Sequence, residues 1–226
     1  MKKNTLLITL IFCTSILTAC GPASYTVPVP IRQGIKSETM MNIQSLNKTI
    51  QFDVKSALTS DIVQAYEYKS NGKTPTKYFF QVDITEDINK AVKSYVETKF
   101  LNVADNSQNR LNFYLQDLYI EYTDVQGSGL VLALTNTYQS TEYYKVKVPI
   151  KVTYLKNGKE YSKDFIFEKE YVDKSTEPMR TAPQTAMEPI KYRKGMDNVI
   201  SFLLSDVYNE MIIKTDKFIT AAETAN

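Results

Sequence analysis

The chain has 226 residues, 27 basic and 25 acidic, with two cysteines and neither histidine nor tryptophan. The lack of histidine excludes Ser-His-Asp and Cys-His catalysis and any zinc site that draws on imidazole. The near-balance of charge argues against nucleic acid or an anionic lipid surface as partner, while 16 tyrosines and 10 phenylalanines suit β-structure and contact surfaces.

Residues 1–19 read as an export signal. Lys2 and Lys3 form a positive start, Leu6 to Leu17 is apolar apart from Thr9, Thr14 and Ser15, and small residues lead into Cys20. The two lysines also account for the basic excess, so residues 20–226 carry 25 charges of each sign. The apolar run is shorter than the roughly 20 residues a spanning helix needs. A cleaved signal without lipid and an uncleaved anchor are the alternatives.

Leu17-Thr18-Ala19-Cys20-Gly21 resembles the bacterial lipobox. The resemblance implies that Cys20 is diacylated on sulfur with palmitate-like chains, becomes the new N-terminus and is then acylated on its amine. Each buried methylene stabilises by ~0.8 kcal/mol, so two or more chains anchor a protein stably. Gly21 differs from the aspartate that resembles an inner-membrane retention signal. The resemblance therefore implies the periplasm-facing side of the outer membrane in a Gram-negative host, or the outer face of the cell membrane in a Gram-positive one. With Cys13 in the signal and Cys20 lipidated, no thiol is left for a disulfide, and stability must come from a packed core.

Residues 20–37 read as the lipidated cysteine and an extended tether. Pro22, Pro28 and Pro30 favour a polyproline-like path that holds the domain away from the lipid; an ordered edge segment packed on the domain is the alternative. Residues 38–226 read as one domain. Thr49 to Val54 alternates like a strand. Ala57 to Tyr66 is ambiguous, since Ser60-Asp61 suits a cap for a helical turn carrying Ile62, Val63 and Tyr66. Ser70 to Pro75 is a turn cluster, and Tyr78, Phe80, Val82 and Ile84 line one face of a strand. Thr85 reads as the N-cap of a helix whose stripe is Ile88, Ala91, Val92, Tyr95, Val96 and Phe100.

Asn102 to Arg110 reads as a polar connection. Leu111, Phe113 and Leu115 hold one strand phase and Leu118, Ile120 and Tyr122 the other, which predicts a bulge near Gln116-Asp117. Gly127-Ser128-Gly129 reads as a turn, Leu130 to Leu134 as a short strand and Thr135 to Thr141 as a loop. Tyr144, Val146, Val148, Ile150, Val152 and Tyr154 alternate with polar residues up to Asn157-Gly158, the preferred pair for a type I′ hairpin turn. Tyr161, Phe165, Phe167 and Tyr171 share one face of the return strand. Pro149 donates nothing to a ladder, which predicts an edge strand or a bulge there.

Residues 173–194, with Pro178, Pro183 and Pro189, read as a long loop. Its basic cluster Lys191, Tyr192, Arg193 and Lys194 is either a solvated stretch or a docking site for a partner protein. A closing helix starts at Gly195 or Met196, carries Val199, Ile200, Leu203, Leu204, Val207, Met211 and Ile212 on one stripe, and fades after Ile219.

No catalytic constellation is expected. Glu168, Glu170 and Asp173 read as solvent-facing carboxylates, and Asp105, Asn106 and Asn109 lack the spacing of an EF-hand loop. Phosphate-loop, nucleophile-elbow and dinucleotide fingerprints are absent, so neither a cofactor nor a metal is expected. The expected fold is α+β: a mainly antiparallel sheet with an amphipathic helix and a long C-terminal helix packed on one face.

Helix Ile88 to Phe100, strand Leu111 to Tyr122 and closing helix Met196 to Ile212, behind a lipobox, resemble the small envelope lipoproteins of the YajG-like, ABC-transport-auxiliary and LptE types. The resemblance implies helices on one face of the sheet and carries over no binding residue. The expectation is a membrane-anchored, non-enzymatic lipoprotein that supports an envelope assembly or transport complex through protein contacts. The alternative is a lipid- or glycan-binding lipoprotein with an apolar pocket between sheet and helices, lined by tyrosine and phenylalanine.

Overall fold

A computed structural model of the chain describes residues 24–30, 35–67, 77–126, 137–178 and 195–225. The export signal, Cys20, the expected turn and strand over 127–134 and the basic cluster 191–194 lie outside the described residues.

The hairpin organises the sheet. Asn157 (φ 51°) and Gly158 (φ 82°) both take the left-handed conformation that a type I′ turn requires. The flanking strands, β8 (Thr137–Lys156) and β9 (Lys159–Pro178), each run for 20 residues. Their register is unbroken from Lys156↔Lys159 to Thr137↔Pro178. Two expectations are corrected here. Residues 137–141 are strand, not loop, and residues 173–178, given to the 173–194 loop, are strand as well. Neither stretch has an apolar face that announces a strand. The extended partner across the ladder satisfies their backbone groups instead.

On its other side β8 pairs antiparallel with two strands in succession. β6 (Arg110–Leu115) lies along its second half and β7 (Tyr119–Gln126) along its first. Leu115 opposes Ile150 and Tyr119 opposes Lys147, so residues 116–118 stand against Val148 and Pro149 alone. This is the bulge that the phase switch predicts. The Gln116 N–H donates to the Pro149 carbonyl at 3.0 Å. N–H and C=O of one strand residue point the same way, so the donor Pro149 lacks would face the bulge, where the ladder is already interrupted. Pro149 is not at a sheet edge, because β8 is paired on both sides.

The remaining strands extend this fork. β2 (Leu46–Ser56) runs parallel to β6 and to β5 (Phe100–Val103), the latter starting at the expected end of the helix stripe and reaching only the first two residues of the expected polar connection. β3 (Ile62–Glu67) runs parallel to β7 and antiparallel to β4 (Lys77–Gln81), which pairs parallel with β1 (Ser24–Pro28). The order is β1-β4-β3-β7-β8-β6-β2-β5, with β9 on the far side of β8. The fold is α+β, but the sheet is mixed rather than mainly antiparallel: four of its eight pairings are parallel among the described residues.

Among the described residues three helices accompany the sheet: α1 (Ser37–Met41), α2 (Ile84–Lys99) and α3 (Met196–Thr224). α2 packs on β2 and β5, and α3 packs on β8 and β9 and touches α2. The predicted stripe of α2 is buried throughout. Its N-cap is Asp83, not Thr85; the Asp83 carboxylate accepts from the Glu86 N–H at 3.1 Å, so the helix starts at Ile84. α3 continues past the expected end to Thr224. Residues 57–66 make no helix; the Ser60 hydroxyl accepts from the Ile62 N–H at 3.1 Å and leads into β3.

Residues 24–30, expected in the tether, belong to the sheet. Val27 is fully buried, and the Val29 N–H donates to the Gln81 carbonyl at 2.9 Å beyond the end of β1.

Candidate functional site

Strict alternation divides the hairpin into two faces. From Tyr144 to Tyr154 the even residues of β8 are buried, and in β9 Phe165 and Phe167 share that face, where Val148 opposes Phe167 and Ile150 opposes Phe165 against α3. The tyrosines and phenylalanines expected to line an apolar pocket between sheet and helices are instead packed side chains. Tyr95, Tyr154, Phe80, Phe113 and Phe167 are among the largest fully buried ones. Five tyrosine rings, on Tyr25, Tyr78, Tyr122, Tyr144 and Tyr171, follow one another across the sheet with centroids 5.1–6.4 Å apart.

The opposite face carries the exposed chemistry. Across β7, β8 and β9 it presents the row Glu121–Lys145–Glu170 beside the row Thr123–Tyr143–Val172. Lys145 bridges Glu168 at 2.7 Å and Glu170 at 2.9 Å. Hydrogen bonds to these two carboxylates hold the Lys145 ammonium well above its ordinary pKa. These six side chains, with Tyr144 and Tyr171, line a cavity of about 320 Å³. Its accessible lining is mostly apolar, from Tyr143, Tyr171 and Val172, with Glu121, Lys145 and Glu170 as the polar groups among them. Glu168 and Glu170 are solvent-facing, as the sequence predicts, and pair with a lysine rather than forming an acid–base dyad.

The outermost strand on this side is β9, and β8 is its one strand partner among the described residues. Pro149 opposes Ile166 and directs its carbonyl to Gln116, away from β9. Pro149 and Ile166 therefore form a non-hydrogen-bonded pair, and the Ile166 N–H and C=O point outward from the sheet. The two-residue period extends this to Asp164, Glu168 and Glu170.

Polar groups are also buried where α2 meets α3. Lys99, 1% exposed, bridges Asp216 at 2.8 Å and donates to the Thr220 hydroxyl at 3.2 Å, while the Tyr95 hydroxyl donates to Asp216 at 3.1 Å. Near the start of α2, Asp87 Oδ2 and the Tyr208 hydroxyl are buried without a hydrogen bond. Burial, reinforced by the neighbouring Asp83 carboxylate, pushes the Asp87 carboxyl up to about 7. Burial also raises the Tyr208 hydroxyl well above its ordinary pKa, so it stays protonated. Tyr154 donates to Glu223, which also pairs with Lys48. This network ties the end of α3 to β8 and β2.

Cys20 and Lys191 to Lys194 lie outside the described residues, so no geometry attaches to them. The sequence reading missed the β9 edge because edge status depends on which strands pair. Its one available signal is the row of acids at every second residue of the return strand. Among the described residues no group of histidine, cysteine or carboxylate side chains is arranged to hold a metal, and no helix is long and apolar enough to cross a membrane.

No protein-family model and no curated protein matches the chain. Solved structures resemble it distantly. A DUF330-family protein from Xanthomonas campestris is 11% identical with a TM-score of 0.45, over 89% of this chain and 100% of the other. A neuraminyllactose-binding hemagglutinin homolog from Helicobacter pylori is 10% identical with a TM-score of 0.34, over 84% and 91%. Rare lipoprotein B from Shewanella oneidensis is 13% identical with a TM-score of 0.28, over 76% and 92%.

Proposed function

We propose that the chain is a membrane-anchored, non-enzymatic lipoprotein that supports an envelope assembly or transport complex through protein contacts. Acyl chains on Cys20 hold it to the periplasmic face of the outer membrane, or to the outer face of the cell membrane in a host with one membrane. The observation that carries this reading is the placement of two of the three terminal strands, β1 and β9. Ser24 opens β1, so covalent reach alone keeps it within about 14 Å of Cys20. From β1 the sheet runs through β4, β3, β7 and β8 to β9. At about 4.8 Å per step, the two edges stand about 24 Å apart along the sheet. The strand next to the anchor is thus five positions along the sheet from β9, whose outer backbone groups have no strand partner among the described residues.

Cys20→Ser, followed by cell fractionation, tests the anchor. The variant is expected in the soluble fraction, and continued membrane retention with the signal cleaved would show that something else holds the protein. Crosslinking in intact cells at native expression tests the contact role. A defined envelope partner is expected, and recovery of the monomer alone counts against it.

A second reading, a ligand-binding envelope lipoprotein, is favoured by the cavity under Tyr143 and Val172. Its aromatic and aliphatic lining, with a few charged groups, suits a lipid or a glycan. Native mass spectrometry of protein purified from its own envelope is expected to show a retained small ligand; a clean apo mass removes this reading.

A further inference from the structure

We propose that the outer edge of β9, unpaired among the described residues, receives an extended strand from a different protein, one with a basic residue at every second position. The inference rests on the contact role above and names the partner's chemistry.

The edge is built to accept a strand. Natural sheets blunt exposed edges with short strands, bulges, prolines or charged side chains. β9 carries the last of these, in Lys159, Lys163, Lys169 and Lys174, but it is neither short nor bulged. β9 runs 20 residues in unbroken register, and its one proline, Pro178, is its last residue. The N–H and C=O groups of Asp164, Ile166, Glu168 and Glu170 face outward, with Ile166 itself 58% exposed. Main-chain bonds of this kind supply the affinity in strand addition, and alternate side chains supply the choice of partner.

Charge identifies the occupant. The outer face of β9 carries Glu160, Asp164, Glu168 and Glu170 against one cation, Lys174. The strand already bonded to β9 answers that pattern: Lys151 opposes Asp164, Lys147 opposes Glu168 and Lys145 opposes Glu170, with Val146, Val148 and Ile150 between them. A strand on the free side lies at the same spacing from the same carboxylates and extends the Phe165–Phe167 face with its apolar residues. A second copy fits badly over the Asp164–Glu170 stretch itself. In an antiparallel two-fold pairing of β9 with itself, every register centred between Asp164 and Glu170 sets at least two of these acids directly opposite each other.

Hydrogen–deuterium exchange of the full chain, purified from membranes in detergent, tests this. The probes are a synthetic peptide alternating lysine with valine and a control alternating glutamate with valine. The lysine peptide is expected to slow exchange at Asp164, Ile166, Glu168 and Glu170 by about tenfold or more, and the glutamate peptide to leave it unchanged. Ile166→Pro removes an outward donor and none of the bonds to β8. It is expected to abolish the effect while Phe165 and Phe167 stay protected. Glu168→Gln combined with Glu170→Gln weakens the peptide without touching the backbone.

No protection by the lysine peptide, equal protection by both peptides, or protection surviving Ile166→Pro overturns the proposal. So does protection of the same amides on raising protein concentration alone, which identifies a second copy. Crosslinks to an envelope partner that map away from β9 sink this edge and leave the contact role standing. Peptide protection with no partner recovered in cells sinks the contact role and leaves the edge.

Discussion

The two ends of α2 bury charge in opposite ways. At its last residue, Lys99 reaches a carboxylate and a hydroxyl on α3, and Tyr95 donates to the same carboxylate. Near its first turn, Asp87 is almost as deeply buried, and what lies against it is an unbonded tyrosine hydroxyl and further acids. Desolvation is the same problem at both ends. Lys99 meets it with an ion pair to Asp216, whereas burial and the Asp83 carboxylate push Asp87 toward its neutral form. Burial of an ionisable group therefore says little until its partner is named.

Breaking the paired end should have the largest effect. Asp216→Ala leaves Lys99 buried and uncompensated, with an expected loss of about 3 kcal/mol in urea unfolding. Lys99→Met replaces the buried charge with an apolar chain of similar length and should cost less. If the two variants lose the same stability, the pair does not act as described.

The unpaired end should respond in the other direction. Folding raises the Asp87 carboxyl to about 7 from a value of 3.8. Between these values the native state holds a proton that the unfolded state has released. This contribution is complete below the unfolded value and is lost as pH rises through the folded one. Asp87→Asn should therefore stabilise the protein at pH 7, by on the order of 2 kcal/mol, and change little near pH 4. Denaturation at the two pH values checks this; an equal effect at both would assign the gain to packing instead.

A smaller effect is expected where α3 ends. Lys156 donates to the carbonyls of Ala222, Glu223 and Ala225, the last of these at 3.3 Å. Lys156→Ala removes a cation from a helix C-terminus and should cost about 1 kcal/mol, with faster amide exchange confined to the last turn. Loss of protection along the whole of α3 would instead make Lys156 part of the interface common to both ends.

Local pattern was legible wherever one side of an element faces the core. The stripe of α2, the strand phases around residues 116–117 and the Asn157-Gly158 turn all follow from spacing and backbone preference over a few residues. The extra length of β8 and β9 was not legible, because the added residues have no apolar face and are strand only through each other. Asp83 was missed as the cap because the first helical residue, Ile84, also continues the apolar phase of β4. The acids of β9 could be read as solvent-facing, but not as lying along an open edge.

By itself the sequence determined the element types in the core, the bulge, the hairpin turn and the lack of histidine chemistry. Those are properties of composition and of short-range period. Only tertiary structure decided that the sheet is mixed, that residues 24–30 belong to it, that Pro149 lies inside it and that β9 ends it. Parallel partners such as β1 with β4 or β2 with β6 are far apart in sequence, and no local period encodes which strands meet. That choice follows from burying all the apolar faces at once, and it also decides which backbone groups are left for a partner.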